Sequence, residues 1–401
     1  MSFIYALEPI LLLYFGLAVI YTLIPSVAGR FIKPLDLPLP SNPEKLNKIA
    51  ILVPAYKEDQ VIIPIAKKLL KQHYSAKHFD VVVIADSLQE DTVAALNELP
   101  IELVVVQFEK STKTKSLVHA LRSLNGSYDI ALICDADNIL EDNFLRKIND
   151  AYNAGCQAIQ AKRVAKNLNT PFAVLDATSE IINNHIYRKG YNALGLSSSL
   201  IGSGMAFNYA DLLGCLEQID AVGGFDRVLQ LYLIEKGHTI RYLEHAFIFD
   251  EKVENSKAFT SQRKRWIASQ FVYLRKYFSK GIRALSSGNI DYFNASVLYN
   301  IFLPRIVNLG LLFILTIISL VLSGPTAVTF WLWTSLLFFY ILSLIIAIPR
   351  AFFSKKLLNA LLSLPKVFFI MFTLLFRLRG ADKKFIHTTH TKVDIDEHDS
   401  Y

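Results

Sequence analysis

Ile130-Ala-Leu-Ile-Cys-Asp-Ala-Asp137 is the stretch from which the fold is read. Five apolar residues, Ile130 to Cys134, stop abruptly at two carboxylates one residue apart, Asp135 and Asp137. A short run rich in Ile and Leu reads as a buried strand of a parallel sheet. Open parallel sheets hold ligands at the carboxyl ends of their strands, which is where both aspartates fall. Two hard oxygen donors there suit Mg²⁺ or Mn²⁺, an ion that also grips a diphosphate. The plainer reading is a turn, Asp-Ala-Asp-Asn, leading into a helix near Asp142. On these residues alone both readings stand.

The neighbouring segments repeat the pattern. Residues 48–54 form the first predicted strand, 80–85 the second, ending at Asp86, and 101–107 the third. Between the first two, Ile62, Ile65, Ala66, Leu69 and Leu70 predict a helix of about four turns. Residues 115–124 read as helix. Alternation of strand and helix predicts right-handed crossovers and a mostly parallel α/β sheet. Further on, 143–154 and 171–190 read as helices, the latter with Pro171 in its first turn, and 158–162 as a short strand. Gly202-Ser203-Gly204 is a flexible turn before Met205, and Gly223-Gly224-Phe225-Asp226 opens a helix that stops at Gly237.

The 401 residues are 52% hydrophobic and only 19% charged, too apolar for an ordinary soluble chain. The excess lies in the first thirty residues and after about Asn294, leaving a middle large enough for one full core. Residues 4–27 have the length of a membrane span. A signal peptide is the other reading, and Glu8, Pro9 and the missing basic flank speak against it. Arg30 and Lys33 follow the span, which places the next domain in the cytoplasm. Residues 34–43 are a proline-rich linker. Residues 262–280 interleave Lys and Arg with aromatics, as a helix in the membrane interface does. Segments 306–322 and 327–348 form a predicted transmembrane hairpin, and 357–378, broken by Pro365 and Lys366, reads as interfacial or re-entrant.

Composition also excludes. The net charge of +7 favours acidic phosphates as partners, but no basic helix or aromatic platform for nucleic acid is evident. The spans carry almost no ionisable groups, which argues against a transporter. Cys134, Cys156 and Cys215 have neither metal spacing nor an even count, so each reads as a small buried apolar residue.

The order of these pieces resembles the membrane-bound glycosyltransferases of family 2, the group of the cellulose, chitin and hyaluronan synthases. Pro54-Ala55-Tyr56-Lys57-Glu58 is similar to the family's Pro-x-Tyr-Asn-Glu turn, with Lys57 replacing Asn. Lys115, with Lys113 nearby, is similar to its Gly-Lys position, and Asp135 and Asp137 to its Asp-x-Asp. Gln262-Arg263-Lys264-Arg265-Trp266 matches the Gln-x-x-Arg-Trp signature of processive members. Phe385 to His390 loosely resembles a cellulose-synthase gating loop, with His387 and His390 replacing Val and Lys. One departure stands out: Phe225 sits where the family has the Glu of an acidic pair.

The resemblance implies a GT-A-type nucleotide-sugar domain at 48–266, after a membrane helix at 1–30 and a linker at 31–47. Interfacial helices would follow at 267–305, a transmembrane hairpin at 306–348, and an interfacial or third membrane helix with a cytoplasmic tail at 349–401. It implies a nucleotide-sugar donor, expected to be a UDP-sugar, held by Pro54, Ala55, Tyr56, Glu58, Asp86, Lys115, Asp135 and Arg265. Mg²⁺ or Mn²⁺ would sit on Asp135 and Asp137, with Asp226 as general base. Gly202, Ser203, Gly204, Gln262 and Trp266 would hold the acceptor, a glycan or lipid-linked sugar. Membrane lipids and envelope-glycan assembly proteins are the further partners expected. Two other readings stay open: transfer to a polyprenyl phosphate, against which the pentad speaks, and an inactive scaffold, for which Phe225 speaks.

Overall fold

β1 (Ile49–Tyr56) is buried along its length because both of its faces are covered. Ile49, Ile51 and Val53 pack under α2 (Ile62–Leu69), while Ala50 and Leu52 face the opposite side, under α4 (Lys113–Ser123). The computed structural model describes residues 2–32, 44–219, 223–378 and 390–396. The linker at 34–43 and residues 385–389 of the loop-like segment lie outside the described residues.

β1 pairs in parallel with β2 (Phe79–Asp86) on one side and β4 (Ile130–Ile133) on the other, and β3 (Glu102–Val106) extends the β2 edge, also parallel. Beyond β4 the sheet mixes. β7 (Met205–Asn208) runs antiparallel to both β4 and β6 (Ala158–Ala165). β8 (Ile240–Asp250) is parallel to β6, and the two-residue β5 (Ile139–Leu140) caps the edge antiparallel to β8. The order is β3-β2-β1-β4-β7-β6-β8-β5. The expected parallel half is therefore present. α3 (Glu90–Asn97), β5, α8 (Tyr209–Leu216) and β8 are elements the sequence pattern did not single out.

Two predicted helices differ in form. α2 has eight residues rather than about four turns. Buried Gln72 stops it: its side chain donates to the Glu141 carbonyl and accepts from the Leu145 amide, tying the chain to the start of α5 (Phe144–Asn153). Residues 171–190 are not one regular helix. α6 (Pro171–Asn183), capped by Thr170, passes into a π-helical stretch, Asn184–Gly190, and the short α7 (Tyr191–Ala193). Fully buried Arg188 lies in that stretch and pairs with Glu180 on α6 at 2.8 Å. α9 (Phe225–Glu235) and the long α10 (Ser256–Ser286) complete the domain, followed by α11 (Ile290–Phe293) and α12 (Tyr299–Ile301).

Three helices are long and apolar enough to cross a membrane: α1 (Ser2–Phe31) over Leu7–Phe31, α13 (Arg305–Ser323) and α14 (Val328–Ala347). α1 exposes Ile10, Leu13, Leu17, Ile20 and Ile24 along one stripe. Its other side packs Phe15 and Val19 on Leu312, Trp333 and Tyr340. An apolar stripe facing outward at helical spacing is what lipid covers. Glu8, the acidic residue in this helix, accepts a hydrogen bond from the Trp333 indole at 3.1 Å. The apolar stretch at 357–378 is a bent pair, α15 (Lys355–Leu361) and α16 (Leu364–Leu374), turning 48° just before Pro365.

α1 meets the α/β domain at a backbone-to-backbone contact. A Cβ on Gly190 would collide with the Pro25 carbonyl, and Gly29 faces the Gly190 backbone in turn. Small residues allow helices this close approach. Gly190→Ala is therefore expected to lower stability by about 1–3 kcal/mol through overpacking. A drop in the thermal midpoint of the detergent-solubilised protein, absent in Gly16→Ala, where an added Cβ on helical backbone meets nothing within 4 Å, checks it.

Candidate active site

Three parallel strand ends bring the acidic residues together. β1 ends at Tyr56 and β2 at Asp86, which are register partners. The residues that follow, Lys57 (φ 57°) and Ser87 (φ 58°), are the non-glycine positions with left-handed backbone among the described residues. Such conformations persist where the surroundings enforce them, often at ligand sites. Asp86 is buried, and its Oδ1 accepts from the Ser87 and Ser111 hydroxyls at 3.0 and 3.1 Å. Pro54 and Ala55 belong to β1 itself, Ala55 buried in the core. Glu58 is buried and accepts from His390 Nδ1 at 2.9 Å.

β4 ends at the Asp pair. The Asp135 amide donates to Ser203 Oγ at 2.9 Å, and the Gly204 amide to the Ile133 carbonyl at 2.9 Å, so the 202–204 turn lies against the strand end. Lys113, at the first position of α4, donates to the half-exposed Asp135 carboxylate and to the Gly202 carbonyl at 2.7 Å. Lys115, expected in this place, turns instead to the Lys110 carbonyl at 3.2 Å. Thr112 caps α4, which puts Lys113 rather than Lys115 on the side of the sheet.

Asp137 is buried, and its Oδ2 accepts the Glu251 amide at 3.1 Å while its Oδ1 accepts from Asn138 Nδ2 at 3.1 Å. Burial alone would raise its carboxyl; His390, the Lys166 ammonium and the Glu251 amide outweigh burial and hold it below the usual range. His390 feels the converse. Burial lowers it, but Asp137, Glu58 and Glu251 push it up to about 9. Among the described residues no three His, Cys, Asp or Glu side chains form a closed metal cage. An ionised buried carboxylate beside a half-exposed one fits Mg²⁺ or Mn²⁺ held open-sided, since such ions keep water and phosphate oxygens as ligands.

Asp226 lies in the first turn of α9 and faces the same turn: a Cβ on Gly202 (φ 84°) would stand 3.9 Å from its Oδ2. Burial raises its carboxyl, partly offset by the Arg227 charge, the first-turn amides and Lys113. Lys113 also sits 5.4 Å from the ring centroid of buried Phe225. The pentad lies on α10. Trp266 is 40% exposed, with the Arg263 guanidinium 4.3 Å above its ring. Arg265 is half-buried, and burial lowers its guanidinium. Gln262 is half-buried, its Oε1 without a hydrogen-bond partner among the described residues.

Sequence reasoning missed what joins the pentad to the sheet. Arg263 pairs with Asp176 on α6. One turn on, Glu180 binds Arg163 of β6 at 3.2 Å, and Arg163 also reaches Asp250 at 3.3 Å. Two acids four residues apart within an otherwise uncharged helix were the available signal. The strap at 390–396 lies at the site, where the loop resemblance returns the tail, but its ties were not foreseen. Glu251 accepts the Thr391 and Lys392 amides at 3.0 and 2.9 Å. Buried Lys166 donates to the Asp137 and Lys392 carbonyls, and Lys68 to the Val393 carbonyl at 2.6 Å. His390, read only as part of a loop motif, thereby comes beside Asp137.

A family model described as "Glycosyltransferase like family 2" matches residues 47–269. "Probable glycosyltransferase YdaM" of Bacillus subtilis is 24% identical over 251 residues, 58% of this chain, and the chain spans 58% of that protein's length. The mannosyltransferase PcManGT from Pyrobaculum calidifontis, solved in complex with GDP-Man and Mn²⁺, superposes with a TM-score of 0.56 at 15% identity, covering 92% of this chain and 96% of that one. That likeness bears out the expected fold, a GT-A-like domain with a mostly parallel sheet flanked by apolar helices.

Proposed function

The chain belongs to glycosyltransferase-like family 2, and we propose that it is an inverting enzyme that moves a sugar from a UDP-sugar or similar donor to a membrane-associated glycan or lipid-linked acceptor. The observation that carries this reading is the convergence of Asp135, Lys113, the 202–204 turn and Asp226 at one end of the sheet. Asp86 and the Tyr56–Glu58 turn hold the base and ribose in this reading, which their register pairing at neighbouring strand ends supports. A divalent ion on Asp135 and Asp137 would neutralise charge developing on the diphosphate. Asp226 takes the proton of the acceptor hydroxyl. Arg265 and Trp266, on the pentad helix, serve the diphosphate and the acceptor ring. The basic residue Arg30 at the end of α1 supports a cytoplasmic catalytic domain.

Lys113 takes the role that the resemblance gave to Lys115. Lys113→Met is expected to raise the donor KM about tenfold or more, the worth of a hydrogen bond to a charged group. Lys115→Met should leave KM near the wild-type value. The test of the whole reading is release of nucleoside diphosphate from a panel of UDP- and GDP-sugars by purified full-length protein with Mn²⁺. Turnover with none of them would overturn it in favour of an inactive scaffold, the reading that Phe225 supports.

A further inference from the structure

Phe259, Arg263 and Trp266 of α10 are spaced four and three residues apart, so they share one face of that helix. The face meets α6 at two residues that are again four apart, Phe172 and Asp176. Phe172 packs on Phe259 with 5.8 Å between ring centroids, and the Asp176 carboxylate takes the Arg263 guanidinium. That guanidinium lies between two rings, 5.1 Å from the Phe259 centroid and 4.3 Å from that of Trp266.

Arg263 is not built to meet a substrate. Its side chain is only 12% exposed, and its Nε is buried without a hydrogen-bond partner among the described residues. Burial pulls its charge down, and Asp176 is the foremost of the charges that hold it. Trp266 is the opposite case, exposed at the surface. A guanidinium over an indole face is attracted by the electrons of the ring and stacks on it. One face of Trp266 is therefore taken, and a sugar ring can stack only on the other. An arginine fork meets a carboxylate in its own plane. Anchoring the fork on Asp176 thus fixes the plane of the guanidinium and, with it, the indole stacked there.

We propose that Asp176 is a positioning residue for the acceptor, fixing the Trp266 ring through Arg263 so that one face stays open to a pyranose. This rests on the reading above in which Trp266 serves the acceptor ring. A carboxylate that merely tied α6 to α10 would matter to stability and not to the setting of the indole.

The test uses the full chain in phosphatidylcholine nanodiscs, with fluorotryptophan at its three tryptophans, read by fluorine NMR. The Trp266 line is the one missing in Trp266→Phe. Asp176→Asn is expected to shift and broaden that line and leave those of Trp331 and Trp333 in place. Asp176→Glu, which keeps the carboxylate, should bring it back toward the wild-type position. Ala177→Gly, which loosens α6 at a buried neighbour, should not move it. Arg263→Lys keeps a cation and loses the planar fork; it should move the line as Asp176→Asn does, and it serves should Asp176→Asn not fold. An unmoved Trp266 line in Asp176→Asn or Arg263→Lys, or an equal shift in Ala177→Gly, overturns the proposal. Methyl glucoside, galactoside, mannoside and N-acetylglucosaminide are then titrated as acceptor probes. At least one should shift the wild-type Trp266 line, and Asp176→Asn should weaken that sugar about fivefold or more while UDP with Mn²⁺ binds as before. Equal affinity for the sugar in Asp176→Asn overturns the proposal. If none of the four moves the wild-type line, Trp266 loses its acceptor role and the proposal falls with it, while turnover of a nucleotide sugar by the same protein leaves the transferase reading standing. A sugar bound at Trp266 without turnover of any donor sinks the transferase reading alone.

Discussion

Asp137→Asn is expected to cut donor turnover by about a hundred- to a thousandfold, the scale of losing one electrostatic contact at a reacting centre. Asn keeps an oxygen in place for the Glu251 amide, at the loss of the hydrogen bond that the other oxygen accepts from Asn138 Nδ2. What it removes is the negative charge that His390 and Lys166 hold ionised. Chelation of divalent ions should depress the wild-type rate to a similar degree. Added Mn²⁺ or Mg²⁺ should restore the wild type and leave the variant low. Release of nucleoside diphosphate at saturating donor measures both, with the thermal midpoint as a check on folding. A variant keeping most of the wild-type rate would remove Asp137 from the chemistry.

Asp226→Asn should lower kcat by about a hundred- to ten-thousandfold, the range for losing a general base, while donor affinity changes little. Its carboxyl is raised above the ordinary value, first by burial. A base works only when deprotonated, so activity should fall as pH drops through that raised value. The acid limb of kcat/KM then lies above the ordinary aspartate value, and the residual activity of the variant should lack it. For stability the sign follows from the same shift. With the folded value above the unfolded one, ionised Asp226 costs stability at high pH, and the cost disappears as pH falls below the unfolded value. An unchanged rate and an unchanged acid limb in Asp226→Asn would place the base elsewhere.

In the parallel half, β1, β2 and β4 were legible as short apolar runs buried on both faces, each ending at a polar turn, and the edge strand β3, which exposes Val105, from its apolar run alone. The antiparallel half was not. β5 has two residues, and β8 is half-exposed, with its register to β6 shifting between Ala161 and Lys162. The aspartates at 135 and 137 could be read because their residue type is rare at the end of an apolar run. Lys113 and Lys115 could not be told apart, since the choice depends on which residue caps α4, and Thr112 settles that only in three dimensions. The tail's return was readable only through the loop resemblance at 385–390; the ties of the strap at 390–396 were not, because several of them are to main-chain amides and carbonyls. The membrane helices were legible from apolar length. The bend in the last pair traces to Pro365, which the sequence did mark.

The Gly190–Pro25 contact is reinforced by His185, whose Nε2 lies 2.8 Å from the Ser26 carbonyl, and by Ser26 Oγ, which donates to the Ser343 carbonyl at 2.6 Å. The first helix is thus riveted to the enzyme and to α14 along the same turn. Once α1 is seated in a bilayer, the reaction centre has a constant altitude above it and no freedom to tilt away. For the lipid-linked acceptor proposed above, encounter then becomes a two-dimensional search, and the reach from bilayer surface to reaction centre acts as a ruler for its head.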